Sequence, residues 1–316
     1  MTRARFDDLP AWLKAWVAER LGSPVISATS QPGGYSPGTA DRLVCADGTR
    51  GFLKAVHPSH NPESPDIHRA ELANLRSMPE GIPVPRLIAG LDEQDWVVLL
   101  IEDVEGRQPT VPWRADELDA ALVALRRLSS AMTPSHLDAP SAYDSLWRLF
   151  GIVRAWADGA EPVPDDLDPW FRDRLVAFAG WVDRSMAEVD GDTTVHGDLR
   201  ADNLLVRPDG EVVVIDWPWA FRGAEWIDAA LLLIEVATSH LQDTTSPDPT
   251  AVLERVMADF HVDRDTVLGL MLGALGFFSS VSRRPDPPGL PTLRAFQRLQ
   301  ADALLAWLKR ELDQAS

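Results

Sequence analysis

The first hundred residues change from a helical to an alternating pattern of hydrophobic and polar positions. Trp12, Leu13 and Trp16 form an apolar stripe at helical spacing, which predicts a helix from about Leu9 to Leu21, ended by Gly22. Shorter apolar segments bounded by glycine, proline and aspartate then predict strands, with one further helix among them. These segments are strands Val25–Thr29, Thr39–Cys45 and Arg50–Val56, a helix Asp66–Met78, and strands Leu87–Gly90 and Trp96–Ile101.

The remainder of the chain is dominated by helical periodicity. From Asp116 onward the pattern predicts helices, with Leu204–Ile215 as the one exception, two short strands joined at Pro208-Asp209-Gly210. The fold class is therefore α+β, with a small sheet-rich lobe over residues 1–103 and a larger helical lobe over residues 104–316. A hinge is expected near residues 102–106.

Composition and charge exclude several classes of protein. The chain has 316 residues, and its 48 acidic against 30 basic side chains give a net charge of −18. This balance disfavours binding to nucleic acid or to an anionic membrane surface. A single cysteine, Cys45, excludes an intrachain disulfide and fits a reducing cytoplasm. The longest apolar segment, Val267–Val281, is too short to span a bilayer and predicts a buried helix.

Three oxygen-bearing side chains surround the predicted hairpin. Asn203 lies just before its first strand and Asp216 just after its second, so antiparallel pairing brings the two together. Asp198 lies five residues before Asn203. Two carboxylates and a carboxamide suit Mg²⁺ better than zinc, and Mg²⁺ is often held together with substrate phosphates. The alternative is that each residue only caps a turn or a helix, but three at this spacing favour a metal and nucleotide site.

The same segment resembles a known family. His196-Gly197-Asp198-Leu199, followed by Asn203 and by Ile215-Asp216-Trp217, is similar to the signature of the aminoglycoside phosphotransferase and choline-kinase-like family. The resemblance implies a protein-kinase-like fold with two lobes and the cofactors ATP and Mg²⁺. It also implies that Asp198 is the catalytic base and that Asn203 and Asp216 are the metal ligands.

A kinase-like small lobe also requires a lysine on its third strand to bind the nucleotide phosphates. Lys54 is the only lysine between positions 15 and 308, and it lies among apolar residues in a chain that otherwise uses arginine. A retained lysine indicates a need for a compact point charge, here toward the α- and β-phosphates. Glu71 on the following helix is the predicted ion-pair partner; the alternative is an exposed glutamate.

Other nucleotide contacts are expected from position rather than from residue type. Gly33, Gly34 and Ser36 lie in a glycine-rich loop between strands, whose spacing matches neither the protein-kinase nor the Walker A pattern. Glu102 and Val104 follow the strand after which related kinases bind adenine through the main chain. Arg200 lies two residues after the predicted base and either faces the γ-phosphate or is solvated.

The neighbouring residues carry weaker predictions. Through the resemblance, His196 is a structural hydrogen-bonding residue and Asp228 supports the catalytic loop. Trp217 and Trp219 flank the predicted metal site, and their alternative roles are packing in the core and contact with a substrate.

The expected activity is ATP-dependent phosphorylation of a hydroxyl group on a small molecule. The most favoured acceptor is an aminoglycoside-like or other cationic antibiotic, and the alternatives are choline, homoserine or a sugar. An acidic loop in the predicted acceptor lobe favours a cation, although acidic loops are usually only solvated. Its acids are Asp158, Glu161, Asp165, Asp166 and Asp168.

Two other functions are disfavoured by the sequence. A non-catalytic pseudokinase is disfavoured because all the expected catalytic residues are present. A protein kinase is disfavoured because only eleven residues separate Asp216 from Asp228, which leaves little room for an activation loop.

Overall fold

The chain divides into two compact units. The computed structural model describes residues 4–31, 38–287 and 291–313. One unit comprises Met1–Gln108 with Asp202–Ala220, and the other Pro109–Ala201 with Phe221–Ser316. The segment Asp202–Ala220 thus groups with the N-terminal part of the chain, and the functional division into lobes 1–103 and 104–316 stays a prediction.

The first unit is built on a five-stranded antiparallel sheet in the order β1-β2-β3-β5-β4. Buried and partly exposed residues alternate along β2, as expected for a sheet with one face packed on a core. The helix before β1 ends at Gly22, whose φ of 79° is readily adopted by glycine. The elements are α1 (Ala11–Leu21), β1 (Val25–Ser30), β2 (Thr39–Cys45), β3 (Arg50–Val56), α2 (Ser64–Ser77), β4 (Leu87–Glu93) and β5 (Trp96–Ile101).

A short hairpin completes the first unit. Its strands β7 (Leu204–Val206) and β8 (Val212–Val214) pair in register, with Leu204 opposite Val214. The hairpin is tied to the rest of its unit by main-chain hydrogen bonds, from Val214 N to Pro83 O (2.8 Å) and from Val206 N to Arg107 O (2.7 Å). The two ends of the hairpin are therefore held in a fixed place within this unit.

The second unit is mostly helical. It contains α3 (Ala115–Ala131), α4 (Ala142–Phe150), α5 (Ile152–Ala157), α6 (Pro169–Arg172), α7 (Leu175–Met186), α8 (Ile227–Gln242), α9 (Pro249–Phe260), α10 (Arg264–Val281) and α11 (Leu293–Asp313). The apolar segment Val267–Val281 forms most of α10, which packs against α7 and α11. Within the described ranges, no helix is both long and apolar enough to cross a membrane.

One strand pair in this unit was not predicted. Strand β6 (Thr193–Val195) pairs antiparallel with β9 (Phe221–Gly223), so the expectation that Leu204–Ile215 is the only non-helical exception is wrong. The predicted α+β class, with a sheet-rich and a helical part, is confirmed.

Candidate active site

Lys54 lies in the middle of the sheet of the first unit. It is on β3, between Ala40 of β2 and Leu99 of β5. Its Nζ donates to both carboxylate oxygens of Glu71, at 2.7 and 2.8 Å, and to Oδ1 of Asp216 at 2.6 Å. The expected ion pair between Lys54 and Glu71 is therefore present, and the lysine also contacts the predicted metal ligand.

The two carboxylates keep Lys54 charged. Burial alone would lower the pKa of this lysine, but the negative charges of Glu71 and Asp216 outweigh it and raise the pKa well above its usual value. Glu71 is buried on α2, and burial raises the pKa of its carboxyl while the adjacent ammonium opposes that rise. With both oxygens accepting from one ammonium, the geometry is that of an ion pair, which holds Lys54 in one orientation.

The hairpin brings Asn203 and Asp216 next to each other in the first unit. Leu204 and Val214 are paired, and Ile215 N donates to Asn203 O at 2.9 Å. Asp216 has a φ of 67°, which is uncommon outside glycine and turns its main chain away from the strand. Its side chain is 42% exposed, whereas Asn203 is buried.

This donor set fits a hard cation. A partly exposed carboxylate and a carboxamide on adjacent chain ends are oxygen ligands of the kind that Mg²⁺ accepts, together with water and phosphate oxygens. The residues present are thus compatible with the predicted metal, and Asn203 and Asp216 would be its ligands.

In the second unit, Asp198 lies on a loop that is held by its main chain. The carboxylate of Asp228, at the start of α8, accepts hydrogen bonds from His196 N (2.8 Å) and Gly197 N (3.1 Å). His196 is fully buried, and its Nδ1 accepts from Asp198 N at 3.2 Å. Burial raises the pKa of Asp228, and the neighbouring His196 opposes the shift. The side chain of Asp198 itself is one-third exposed, which leaves it open to a substrate.

A second carboxylate on α8 supports the same loop and was not predicted. Glu235, buried two turns after Asp228, accepts from Ala201 N at 3.2 Å. The signal in the sequence is the presence of two acids seven residues apart in a helix whose residues 227–236 are otherwise apolar. Acids are almost never buried unless they have partners, so both indicated a polar contact.

Arg200 lies near the predicted base. Its Nη1 is 3.6 Å from Oδ1 of Asp198, and its side chain is 21% exposed. The structure thus places Arg200 in an ion pair with Asp198, and its predicted contact with a phosphate stays a prediction.

The residues that follow β5, Glu102 and Val104, make hydrogen bonds and an ion pair with other parts of the first unit. Glu102 N donates to Arg86 O at 2.9 Å, and the Glu102 carboxylate pairs with Arg207 at 3.3 Å. Val104 O accepts from Arg42 at 3.1 Å. The Glu102 carbonyl and the Val104 N–H take no part in these contacts.

The remaining predicted residues fall into two groups. Gly33, Gly34 and Ser36 lie outside the described residues. The tryptophans after Asp216 differ from each other, because Trp217 is fully buried and its Nε1 donates to Val214 O at 3.0 Å, whereas Trp219 is 56% exposed. A substrate contact is therefore excluded for the Trp217 ring, which packs inside the first unit.

Most acids of the loop Asp158 to Asp168 have partners within the second unit. Asp166 pairs with Arg283 at 2.7 Å and Asp168 with Lys309 at 2.9 Å, while Asp158 lies 3.5 Å from Arg154. Hydrogen bonding to Arg283 lowers the pKa of Asp166. These bases offset much of the loop's negative charge, so the attraction expected for a cation rests mainly on Glu161 and Asp165.

Comparison with known proteins identifies the family and the fold of this chain. The model of the phosphotransferase enzyme family matches residues 32–270. The fold is similar to the choline kinase of Streptococcus pneumoniae, with a TM-score of 0.59 at 15% identity over 93% of this chain and 98% of that one. It is also similar to an aminoglycoside phosphotransferase of Alicyclobacillus acidocaldarius, with a TM-score of 0.51 at 15% identity over 92% of each chain.

A third similar structure is a spectinomycin phosphotransferase in complex with ADP and spectinomycin. Its TM-score is 0.54 at 14% identity, over 92% of this chain and 93% of that one. Identities this low establish the protein-kinase-like two-lobed fold alone. A search of curated protein sequences found no match.

The family match and the kinase-like fold together define a small-molecule phosphotransferase, that is, a kinase. Since the family model covers most of its length, the chain belongs to the phosphotransferase enzyme family.

Proposed function

We propose that this enzyme transfers the γ-phosphoryl group of ATP to a hydroxyl of a small molecule. The observation that carries the proposal is the Lys54 ammonium, held between Glu71 and Asp216 at 2.6–2.8 Å. A partly buried lysine fixed by one glutamate and adjacent to a proposed metal-ligand carboxylate is the arrangement that phosphoryl transfer requires. ADP in the similar spectinomycin phosphotransferase supports ATP as the donor.

The first unit supplies the nucleotide contacts in this proposal. Lys54 neutralises charge on the α- and β-phosphates, and Glu71 orients it. The Glu102 carbonyl and the Val104 N–H bind adenine through the main chain. The glycine-rich loop with Gly33, Gly34 and Ser36 covers the phosphates. Asn203 and Asp216 hold Mg²⁺, which offsets phosphate charge when it is bound.

The second unit supplies proton transfer. Asp198 accepts the proton of the acceptor hydroxyl as that oxygen forms a bond to the γ-phosphorus. The bond from the γ-phosphorus to the bridging oxygen breaks, and ADP leaves with the electron pair. Asp228, Glu235 and His196 keep the loop in place through its main chain, so the carboxylate of Asp198 needs little reorganisation. Arg200 stabilises negative charge beside it, on a phosphate or on Asp198.

For the acceptor we propose an aminoglycoside-like or other cationic antibiotic. Phosphorylation of such a compound would give the enzyme a role in antibiotic resistance. Two of the similar structures are named as phosphotransferases of aminoglycosides or of spectinomycin. A choline-type metabolite is the second candidate, favoured by the similarity to a choline kinase. Both candidates are cations with a free hydroxyl.

A substrate screen tests the proposal. Purified protein with ATP and Mg²⁺ is incubated with single hydroxylated antibiotics and metabolites, and each compound is checked by mass spectrometry for the gain of one phosphoryl group. Asp198→Asn protein is the matched control. A phosphorylated product with the wild type alone is expected. Binding of ATP without a product in any compound class would instead indicate a pseudokinase.

A further inference from the structure

Two side chains of α2 contact the main chain of the same residue, Trp217. The Glu71 carboxylate accepts a hydrogen bond from the Trp217 main-chain N–H, and Asn74 Nδ2 donates to the Trp217 carbonyl at 2.7 Å. Glu71 and Asn74 are three positions apart, so they lie on the same face of the helix. One helix therefore satisfies both polar main-chain groups of Trp217.

Trp217 directly follows Asp216, the predicted metal ligand with a φ of 67°. A non-glycine residue in this conformation is strained and persists where its surroundings hold it. On the N-terminal side, Ile215 N is bonded to Asn203 O at 2.9 Å. On the C-terminal side, the buried Trp217 ring donates to Val214 O, and its main chain is held by α2.

Glu71 and Asn74 play different parts in this contact. Glu71 also binds Lys54, so its removal affects the lysine and the Trp217 main chain together. Within the described residues, the hydrogen bond to the Trp217 carbonyl is the one that the structure gives the Asn74 side chain. Asn74 is therefore the residue whose change isolates the position of the main chain after Asp216.

We propose that Asn74 is a positioning residue for metal binding, acting through the Trp217 carbonyl to hold Asp216 in its unusual conformation. The inference rests on the proposed role of Asp216 as a ligand of Mg²⁺. Asn74 does not itself bind the metal or the nucleotide. It couples the helix that orients Lys54 to the carboxylate that holds the metal, so both charges near the phosphates depend on the placement of α2.

The test compares Asn74→Ala and Asn74→Asp with a control on the same helix. Asn74→Asp keeps the shape but replaces the donor with an oxygen that faces the Trp217 carbonyl. The control is Ser77→Ala, since the exposed Ser77 hydroxyl donates only to Ala73 of its own helix among the described contacts. Isothermal titration at several Mg²⁺ concentrations gives the concentration at which ATP binding is half-maximally enhanced, and thermal unfolding is measured in parallel.

Loss of one hydrogen bond predicts an increase of about 3- to 10-fold in the half-maximal Mg²⁺ concentration for Asn74→Ala. A larger increase is expected for Asn74→Asp, with ATP binding in the absence of Mg²⁺ unchanged. Ser77→Ala stays at the wild-type value. A merely structural role would lower the unfolding temperature without moving the Mg²⁺ dependence, and that result overturns the inference.

The failure of the inference is distinct from the failure of the proposed function. If Asp216→Ala removes the Mg²⁺ dependence and both Asn74 variants retain it, Asn74 has no positioning role and the metal site stands. If wild-type ATP binding does not respond to Mg²⁺, the metal site and the inference both fail.

Discussion

The two units hold their functional groups in different ways. In the first unit, charged side chains contact one another directly, and Lys54 lies between Glu71 and Asp216. In the second unit, the carboxylates of α8 accept from the main chain of the loop, and Asp198 stays one-third exposed. In the proposed function, this fixed cation faces the negatively charged phosphates of ATP. In the same proposal, Asp198 gains and loses a proton, and its partly exposed carboxylate is positioned through the main chain of its loop.

The largest effect is expected from the exposed carboxylate of the second unit. Asp198→Asn keeps the size of the side chain and removes its ability to accept a proton. Turnover with the acceptor should fall about 10²- to 10⁴-fold, the usual contribution of a general base. Steady-state kinetics with the acceptor found in the screen measure this loss. Turnover near that of the wild type would remove Asp198 from the mechanism.

The side-chain contacts of the first unit should respond differently. Glu71→Gln retains the size but not the charge that holds Lys54, and a hydrogen bond to a charged group contributes about 1.5–3 kcal/mol. A loss of about 10- to 100-fold in kcat/KM for ATP is expected, with a larger loss for Lys54→Ala.

The Glu71→Gln variant also tests whether Lys54 serves the nucleotide at all. If Glu71→Gln changes KM for the acceptor and leaves the ATP parameters alone, Lys54 does not serve the nucleotide. Arg76→Gln, an exposed change on the same helix, is the control.

The main-chain contacts of the second unit should matter for stability as well as for activity. Asp228→Ala leaves the buried N–H group of His196 and the partly buried N–H group of Gly197 without their acceptor. Each buried unsatisfied group costs about 1–3 kcal/mol, so a loss of a few kcal/mol in the free energy of unfolding is expected, with reduced turnover. Urea unfolding measures it, and Glu225→Ala, an exposed change just before α8, is the matched control. Equal stability of the two variants would contradict the supporting role.

The smallest effect is expected in the acidic loop. Asp166 is exposed, and its ion pair with Arg283 lowers the pKa of its carboxyl. A carboxyl with a lowered pKa in the folded state stabilises the protein above its ordinary pKa near 4, and the contribution is lost as pH falls through the lower value. Asp166→Asn should therefore lower the unfolding temperature by less than about 3 °C at pH 7.

Below the lowered pKa of Asp166, the difference between Asp166→Asn and the wild type should vanish. A rise in KM for the acceptor with no change in stability would instead assign Asp166 to the acceptor site.

The sequence predicted elements whose local hydrophobic pattern or turn residues are strong. It did not predict elements that depend on pairing between residues far apart in the chain. The short apolar segment Arg50–Val56, the turn at Pro208-Asp209-Gly210 and the apolar segment of α10 each predicted the element that forms. Strands β6 and β9 have only three residues each, too few for a period to appear, and their pairing depends on residues far apart in the chain.

The same reasoning explains which site residues were predicted. Asp198, Asn203 and Asp216 lie within nineteen residues, so their spacing is visible in the sequence. Glu235 and Asn74 act on main-chain groups that are distant in sequence. An acid in the apolar part of α8 indicates a polar contact but not its partner, and the residue type of Asn74 indicates neither. The burial of Trp217 was likewise invisible, because tryptophans occur both in cores and at binding sites.

In the proposed function, the first unit binds the nucleotide and the metal, and the second unit accepts the proton of the acceptor hydroxyl. Isothermal titration of ATP with and without Mg²⁺, on wild type, Asp216→Ala and Asp198→Ala, tests this assignment directly. We predict that Asp198→Ala binds ATP with the wild-type affinity and Mg²⁺ dependence, while Asp216→Ala loses the Mg²⁺ dependence. Equal loss in both variants, or none in Asp216→Ala, would contradict it.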